Sequence, residues 1–274
     1  MQSESTTTTA DRRKLAALLL TPILAIVGFV VLSLLLSEPE PPPLPDLSDA
    51  QPDERRAAFF AYLLPFVDEQ NDIHADRRAL LLRIKQRLDQ GGNIGFWQRR
   101  HLAEIAPMYR IDTSSEDWEE ILALALKRVD QLPTSLVLAQ AAKESGWGTS
   151  RFAQEANNLF GEWCFVPGCG LVPRARGAGR RHEVRSFDSV AGSVRSYFLN
   201  LNSHEQYRDL RLMRQALREN DEPLDGVELA DGLLYYSERR QAYVNEIKAL
   251  IRQNDLLSLD YPDDQEGVLE QSTH

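Results

Sequence analysis

Residues 133–161 read PTSLVLAQAAKESGWGTSRFAQEANNLFG, and the rest of the chain is best understood outward from them. Pro133 suits the first turn of a helix because its missing N–H has no partner there anyway, and Gly146 is the residue type that ends one. The spacing predicts a short helix over 136–145. At about 100° per residue, Leu136, Val137, Leu138, Ala139, Ala141 and Ala142 cover most of its circumference, while Gln140, Lys143 and Glu144 share an arc about 100° wide. Such a helix is buried nearly all round, with one polar window. Glu144 lies at the window's edge beside Val137 and Ala141. Burial is expected to raise its pKa and keep a proton available near neutrality, as a general acid requires.

The next residues, 145–150, bring the backbone into a tight turn that presents the Trp147 indole near that carboxyl group. Thr149 or Ser150 can cap a second short helix ending near Ala156. Asn157, Asn158, Leu159, Phe160 and Gly161 then supply a polar loop, a buried aromatic and a hinge. Amides and aromatics beside a protonatable carboxylate suit a carbohydrate, which offers hydroxyl and acetamido groups and apolar ring faces. On residues alone a second reading stays open, in which Glu144 is a capped or salt-bridged helix-end residue partnered by Lys143 or Arg151.

Composition narrows the classes. The chain has 274 residues, 43% of them hydrophobic, enough for a packed core of one large or two small domains. A formal net charge of -10 argues against a nucleic-acid binder, which needs clustered Lys and Arg to track phosphates. Cys164 and Cys169 are the two cysteines, and the five histidines are scattered singly. With no HExxH, no CxxC, no P-loop and no dinucleotide fingerprint, neither a metal nor an organic cofactor is expected.

Residues 15–36, LAALLLTPILAIVGFVVLSLLL, carry no charge and are long enough to span a bilayer. They exceed the ~7–15 residues of a signal-peptide core and no small-x-small site follows, so an uncleaved single-pass anchor is expected. Arg12, Arg13 and Lys14 precede the span and Glu38, Glu40, Asp46 and Asp49 follow it. The positive-inside rule therefore puts residues 1–14 in the cytoplasm and the remainder on the far side of the inner membrane, in the periplasm or facing the wall. Residues 37–53, with six prolines, read as an extended spacer. Helical patterns follow over 54–70, kinked or ended at Pro65, then 74–90 and 95–108. Ser114 with Asp117 resembles a capping box ahead of a helix carrying Trp118, Ile121, Leu122, Ala125 and Val129. Residues 54–131 thus form helical support, 132–258 the core that carries chemistry, and 259–274 an acidic tail.

The run VLAQAAKESGWGTSRFAQEANNLFG resembles the signature of the glucosaminidase family, glycoside hydrolase family 73, found in peptidoglycan hydrolases and autolysins. The continuation at 163–173, WCFVPGCGLVP, is shared with an enterobacterial branch of that family. The resemblance covers roughly residues 54–257, with 133–173 the specific part. It implies a lysozyme-like α+β domain, mainly α, with a small β-hairpin lobe behind a transmembrane helix. It also implies peptidoglycan glycan strands as the substrate, Glu144 as the catalytic acid, and a substrate cleft with Trp147, Asn158 and Phe160 in its wall.

Cys164 and Cys169 flank a Phe-Val-Pro-Gly turn that can bring their sulfurs together outside the cytoplasm; two buried thiols are the alternative. Arg174, Arg176, Arg180 and Arg181 form a basic loop on an acidic protein, either a grip for wall carboxylates or a solvated loop. Residues 182–187 alternate as a strand where the family has its β-lobe. There Glu183 is the candidate second carboxylate, since glycosidases usually employ two, although substrate-assisted enzymes use an acetamido group. Its alternative is a strand residue paired with Arg181 or Arg185. Ser189 and Asp188 can cap a helix with Val190, Val194, Phe198 and Leu201 buried, and another helix follows over 207–220. The C-terminal motif places a tyrosine, Tyr236 or Tyr243, in the cleft opposite the acid, where a phenol stabilises charge or orients water. The expected activity is hydrolysis of the β-1,4 bond at N-acetylglucosamine. A lytic transglycosylase and a wall-binding scaffold without turnover are the alternatives, and no protein partner is legible.

Overall fold

The computed structural model describes residues 42–174, 179 and 181–261, of which all but Pro42 belong to a compact unit beginning at Pro43. The segment 1–14 expected in the cytoplasm, the expected span 15–36, Arg176 and Arg180 of the basic loop, and the tail from 262 lie outside the described residues. Among the described residues no helix is long and apolar enough to cross a membrane.

Helix α1 (Pro52–Asp89) runs unbroken for 38 residues, where two helices, 54–70 kinked or ended at Pro65 and 74–90, were expected. Pro65 is exposed, and so is Ala61, whose carbonyl loses its helical donor to the proline and can turn to water. Opposite them a stripe of Phe59, Leu63, Val67, Gln70, His74, Leu81 and Ile84 stays buried across the proline. Packing along that stripe outweighs a local penalty of about 3 kcal/mol. The first half of α1 packs into the main core and the second into a smaller core. The smaller core is completed by α2 (Phe96–Ile105), a 3-10 turn (Ala106–Tyr109) and α3 (Trp118–Arg128). The cap of α3 is Asp117, whose carboxylate accepts from the Glu120 N–H at 3.1 Å, and not the Ser114 box the spacing predicts.

The expected spacer 37–53 does not stay extended to its end. Leu44 and Leu47 are buried in the main core, and the Pro45 carbonyl accepts from Gln154 Nε2 at 3.1 Å. From Leu44 onward these residues are part of the domain.

Helix α4 (Thr134–Ser145) is the axis of the main core, and of its 12 residues only Lys143 and Glu144 escape burial. Gln140, expected in a polar window, is wholly buried. Gly146 ends the helix in the left-handed region, and Trp147 and Gly148 continue there at φ 61° and 78°. Ser145 holds this reversal, donating from Oγ to the Ala141 carbonyl at 2.6 Å and accepting the Gly148 N–H at 2.8 Å. Ser150 caps α5 (Arg151–Ala156) by accepting the Ala153 N–H.

The lobe is a three-stranded antiparallel sheet in place of the expected hairpin: β1 (Trp163–Cys164), β2 (Gly170–Leu171) and β3 (Glu183–Arg185), with β3 in the middle. Because β1 and β2 run parallel on either side of β3, the segment between them must cross the sheet. The Cys164–Cys169 disulfide closes that crossing, with the Cα atoms 6.2 Å apart. Gly170 lies so close to β3 that a Cβ there would stand 1.9 Å from the Val184 carbonyl oxygen. The chain continues through α6 (Val190–Ser203), a 3-10 turn (Glu205–Tyr207), α7 (Arg208–Glu219), α8 (Gly226–Leu229), another 3-10 turn (Ala230–Leu233), α9 (Gln241–Gln253) and a closing 3-10 turn (Leu256–Asp260). Helix α4 is packed by α1, α8, α9 and the closing turn. The described unit is mainly helical α+β.

Candidate active site

Glu144 sits in the last turn of α4, half-buried. Burial pushes its carboxyl above the ordinary value, although a hydrogen bond from the Tyr243 hydroxyl and the charge of Lys143 work the other way. The helix offers this position because Gly146, Trp147 and Gly148 turn the chain away at once, so no further helical turn covers the carboxyl group. Gly161 keeps its other side open: a Cβ there would stand 3.7 Å from Glu144 Oε2, and φ is +65°.

Around Glu144 the structure closes a ring. The Tyr197 hydroxyl, from α6, donates to Gln140 Oε1. Gln140 Nε2 donates to the Tyr243 hydroxyl of α9 at 2.9 Å, and that hydroxyl donates in turn to the Glu144 carboxylate. Tyr243 stacks on Tyr236 with centroids 5.3 Å apart and planes 8° apart. Tyr236 donates from its hydroxyl to the Phe160 carbonyl at 2.9 Å, and the Phe160 ring stacks on Tyr197 at 3.9 Å. Burial, then the Glu144 charge, lifts the Tyr243 phenol far above its ordinary pKa; burial, then Tyr243 and Glu144, does the same for Tyr236. Both stay protonated donors at any working pH. Tyr207, tilted against Tyr236 at 5.9 Å, is pushed up to about 12 by burial and by the charges of Glu162 and Glu144.

The remaining expected site residues fall differently. The Trp147 ring packs edge-on against Phe60 at 5.3 Å and Phe59 at 6.2 Å, which ties the turn to α1. Asn158 is buried with both amide hydrogens given to the Glu162 and Arg185 carbonyls, at 2.9 and 2.8 Å, and its Oδ1 accepting the Glu162 N–H. Its carboxamide welds the loop to β3. Phe160 is 4% exposed and serves as wall. Glu183 is also buried, with its carboxylate under the crossing segment, accepting the N–H groups of Gly168 at 3.2 Å and Gly170 at 2.9 Å.

Sequence reasoning passed over Glu162. Its carboxylate accepts the Ser196 hydroxyl at 2.8 and 3.0 Å and pairs with Arg185 at 2.7 Å. It follows Gly161 directly and shares Tyr207 with Glu144. Tyr197 was passed over as well: it lies beside the stripe of Val190, Val194, Phe198 and Leu201 expected to be buried, and nothing local marks it as the partner of Gln140.

Among the described residues one grouping has metal-ligand chemistry, Cys164, Cys169 and Glu183. With the two sulfurs bonded to each other it lacks the thiolates that zinc takes. A cavity of about 590 Å³ opens at the other end of α4, among Thr134, Asp260, Asp68, Asp72, Arg218 and Leu224. Ten residues of helix at about 1.5 Å each separate it from Glu144, so the acid is not its chemistry.

A family model described as "Glucosaminidase: Mannosyl-glycoprotein endo-beta-N-acetylglucosaminidase" matches residues 120–256, which takes in the carboxylate, the lobe and every member of the tyrosine ring. Protein bax of Escherichia coli (strain K12) is 34% identical over 207 residues, spanning 74% of this chain and 71% of the relative. No solved structure matches. Since the family model reaches from α3 past α9 and the relative aligns well beyond it, the chain belongs to the glucosaminidase-domain family, as a Bax-type member.

Proposed function

We propose that this protein is a single-pass, membrane-anchored peptidoglycan hydrolase that cleaves the β-1,4 glycosidic bond at N-acetylglucosamine, with Glu144 as its general acid. The observation that carries the reading is the ring of Gln140, Tyr197, Phe160, Tyr236 and Tyr243 closed around one protonatable carboxyl group. The Glu144 proton passes to the glycosidic oxygen as the C–O bond breaks, and the leaving sugar departs as an alcohol. The anomeric carbon takes up a hydroxyl from water, whose proton restores the acid at the end of the cycle. Tyr243, donating to the Glu144 carboxylate, stabilises the anion left after proton transfer. Tyr236 shares this face through its stack on Tyr243. The uncharged run 15–36, behind Arg12, Arg13 and Lys14, supports the anchor and a periplasmic position for the domain.

Three expectations follow. The acid form is present below the Glu144 pKa, which burial raises, so turnover is expected to persist above the ordinary carboxylate range and to fall as pH rises through that value. Tyr243→Phe removes the bond that favours the ionised form, so the basic limb of the kcat profile is expected to move upward; a downward shift would contradict the assignment. For Glu183, which accepts two backbone N–H groups, Glu183→Gln is expected to lower Tm and change kcat less than tenfold. A loss of a hundredfold or more with Tm intact would restore Glu183 as a second catalytic carboxylate. The reading as a whole is tested by incubating the full chain in detergent with purified peptidoglycan. Release of reducing N-acetylglucosamine ends supports it, and glycan binding without any release would contradict it.

A further inference from the structure

Glu246 lies three residues after Tyr243 on α9, so the two side chains leave the same face of that helix. Tyr243 reaches Gln140 and Glu144, while the Glu246 carboxylate meets Lys143 Nζ at 2.6 Å. One face of α9 therefore grips three residues in the last turns of α4. Arg239, just ahead of α9, closes on the same carboxylate with two nitrogens at 2.8 and 2.5 Å. Hydrogen bonds from Arg239 and Lys143 hold the Glu246 carboxyl down at about 2, so it stays an anion wherever the site works.

We propose that Glu246 is a positioning residue for Glu144: it takes up the Lys143 ammonium, holds that charge off the neighbouring carboxyl group, and registers Tyr243 against it. The inference rests on the proposed hydrolase only for what Glu144 then does. The groups that face Glu144 are known from every side. Lys143 comes from α4 itself, Tyr243 from α9, Tyr197 from α6, Tyr207 from the 3-10 turn after α6, and Tyr236 from the segment before α9; behind Lys143 stands Glu246, paired to it and to Arg239. The Glu162 charge also bears on Tyr207, and its carboxylate is paired with Arg185. The tyrosines remain neutral, so the charge that acts on Glu144 is the Lys143 ammonium, which the Glu246 carboxylate pairs. Without the Glu246 anion that ammonium is uncompensated, and the ionised form of Glu144 is favoured.

The test reads Glu144 directly. Its carboxyl ¹³C resonance is titrated in full-length protein in detergent and assigned by its absence in Glu144→Gln. In Glu246→Gln the midpoint is expected to fall by about half a pH unit to one unit, the size of one nearby uncompensated charge in a medium between protein and water. Adding Lys143→Met is expected to bring it back, which a merely loosened fold would not do. Lys143→Met alone is expected to raise the midpoint, and carries the test if Glu246→Gln does not fold. In turnover, the basic limb of kcat should follow the midpoint with KM within about twofold. An unmoved midpoint in a folded Glu246→Gln protein, or a shift that Lys143→Met fails to reverse, overturns the proposal. A protein that shows these shifts but cleaves nothing contradicts the hydrolase reading and leaves this one standing.

Discussion

Glu144→Gln is expected to lower kcat by about 10²–10⁴, the usual contribution of a positioned general acid and about 3–5 kcal/mol of barrier. The fold should not suffer. Glutamine keeps the volume and an acceptor for the Tyr243 hydroxyl, and the last turn of α4 is held by Ser145 and by the packing of α1, α8 and α9. Stability supplies a second readout with a definite sign. The folded pKa of Glu144 is raised by burial, so its contribution is fully present below the unfolded value and is lost as pH rises through the folded one. A neutral amide escapes that loss, and the variant's Tm at neutral pH should be no lower than that of the parent. Circular dichroism melts beside initial rates check both points; retained turnover, or a collapsed melt, would remove Glu144 from the role.

The largest loss of stability is expected from Asp130→Ala. Asp130 is 2% exposed and stands between Arg218 at 3.0 Å, Arg78 at 3.2 Å and Arg214 at 3.7 Å. Arg214 is itself buried, donating to the Gln131 carbonyl at 3.0 Å, to Asn202 Oδ1 at 2.6 Å and, at 3.4 and 3.5 Å, to the Lys127 and Arg128 carbonyls. The cluster joins α1, α6 and α7 to the segment leading into α4. Removing the one carboxylate strands guanidinium charge away from water, a loss of about 3–5 kcal/mol. That corresponds to a Tm lower by about 10 °C for a domain of this size. Burial alone would raise the Asp130 pKa, but the three guanidiniums outweigh it and hold the carboxyl below its ordinary value. Its stabilisation is therefore present above the unfolded pKa of 3.8 and lost as pH falls through the lower folded value. Parent and variant melts should diverge at neutral pH and converge in strong acid. A neutral-pH difference under about 1 kcal/mol would mean that the cluster is incidental.

What the sequence made legible was local. Helix α4 follows from Pro133, Gly146 and an apolar circumference, and the half-buried Glu144 follows from the same wheel. The strand at Glu183, the cap at Ser189 and the meeting of Cys164 with Cys169 depend on neighbours a few residues away. What sequence missed was decided at long range. Pro65 reads as a break because the loss of one donor is visible locally, whereas the stripe that carries α1 through it is stabilised by other helices. Gln140 looks like part of a polar window, yet its partners Tyr197 and Tyr243 lie 57 and 103 residues away and bury it completely. The carboxylates were the hardest case. A strand residue turns to one face or the other by register alone, and β3 aims Glu183 at the crossing segment while Glu162, before β1, shares Tyr207 with the acid.

The central claim, that Glu144 drives hydrolysis at N-acetylglucosamine, is met most directly by digesting purified peptidoglycan with the full chain in H₂¹⁸O and weighing the products. The account predicts fragments ending in reducing N-acetylglucosamine that carry one ¹⁸O, formed by the parent and absent with Glu144→Gln. Anhydro ends without ¹⁸O, or labelled ends formed equally by both proteins, would contradict it.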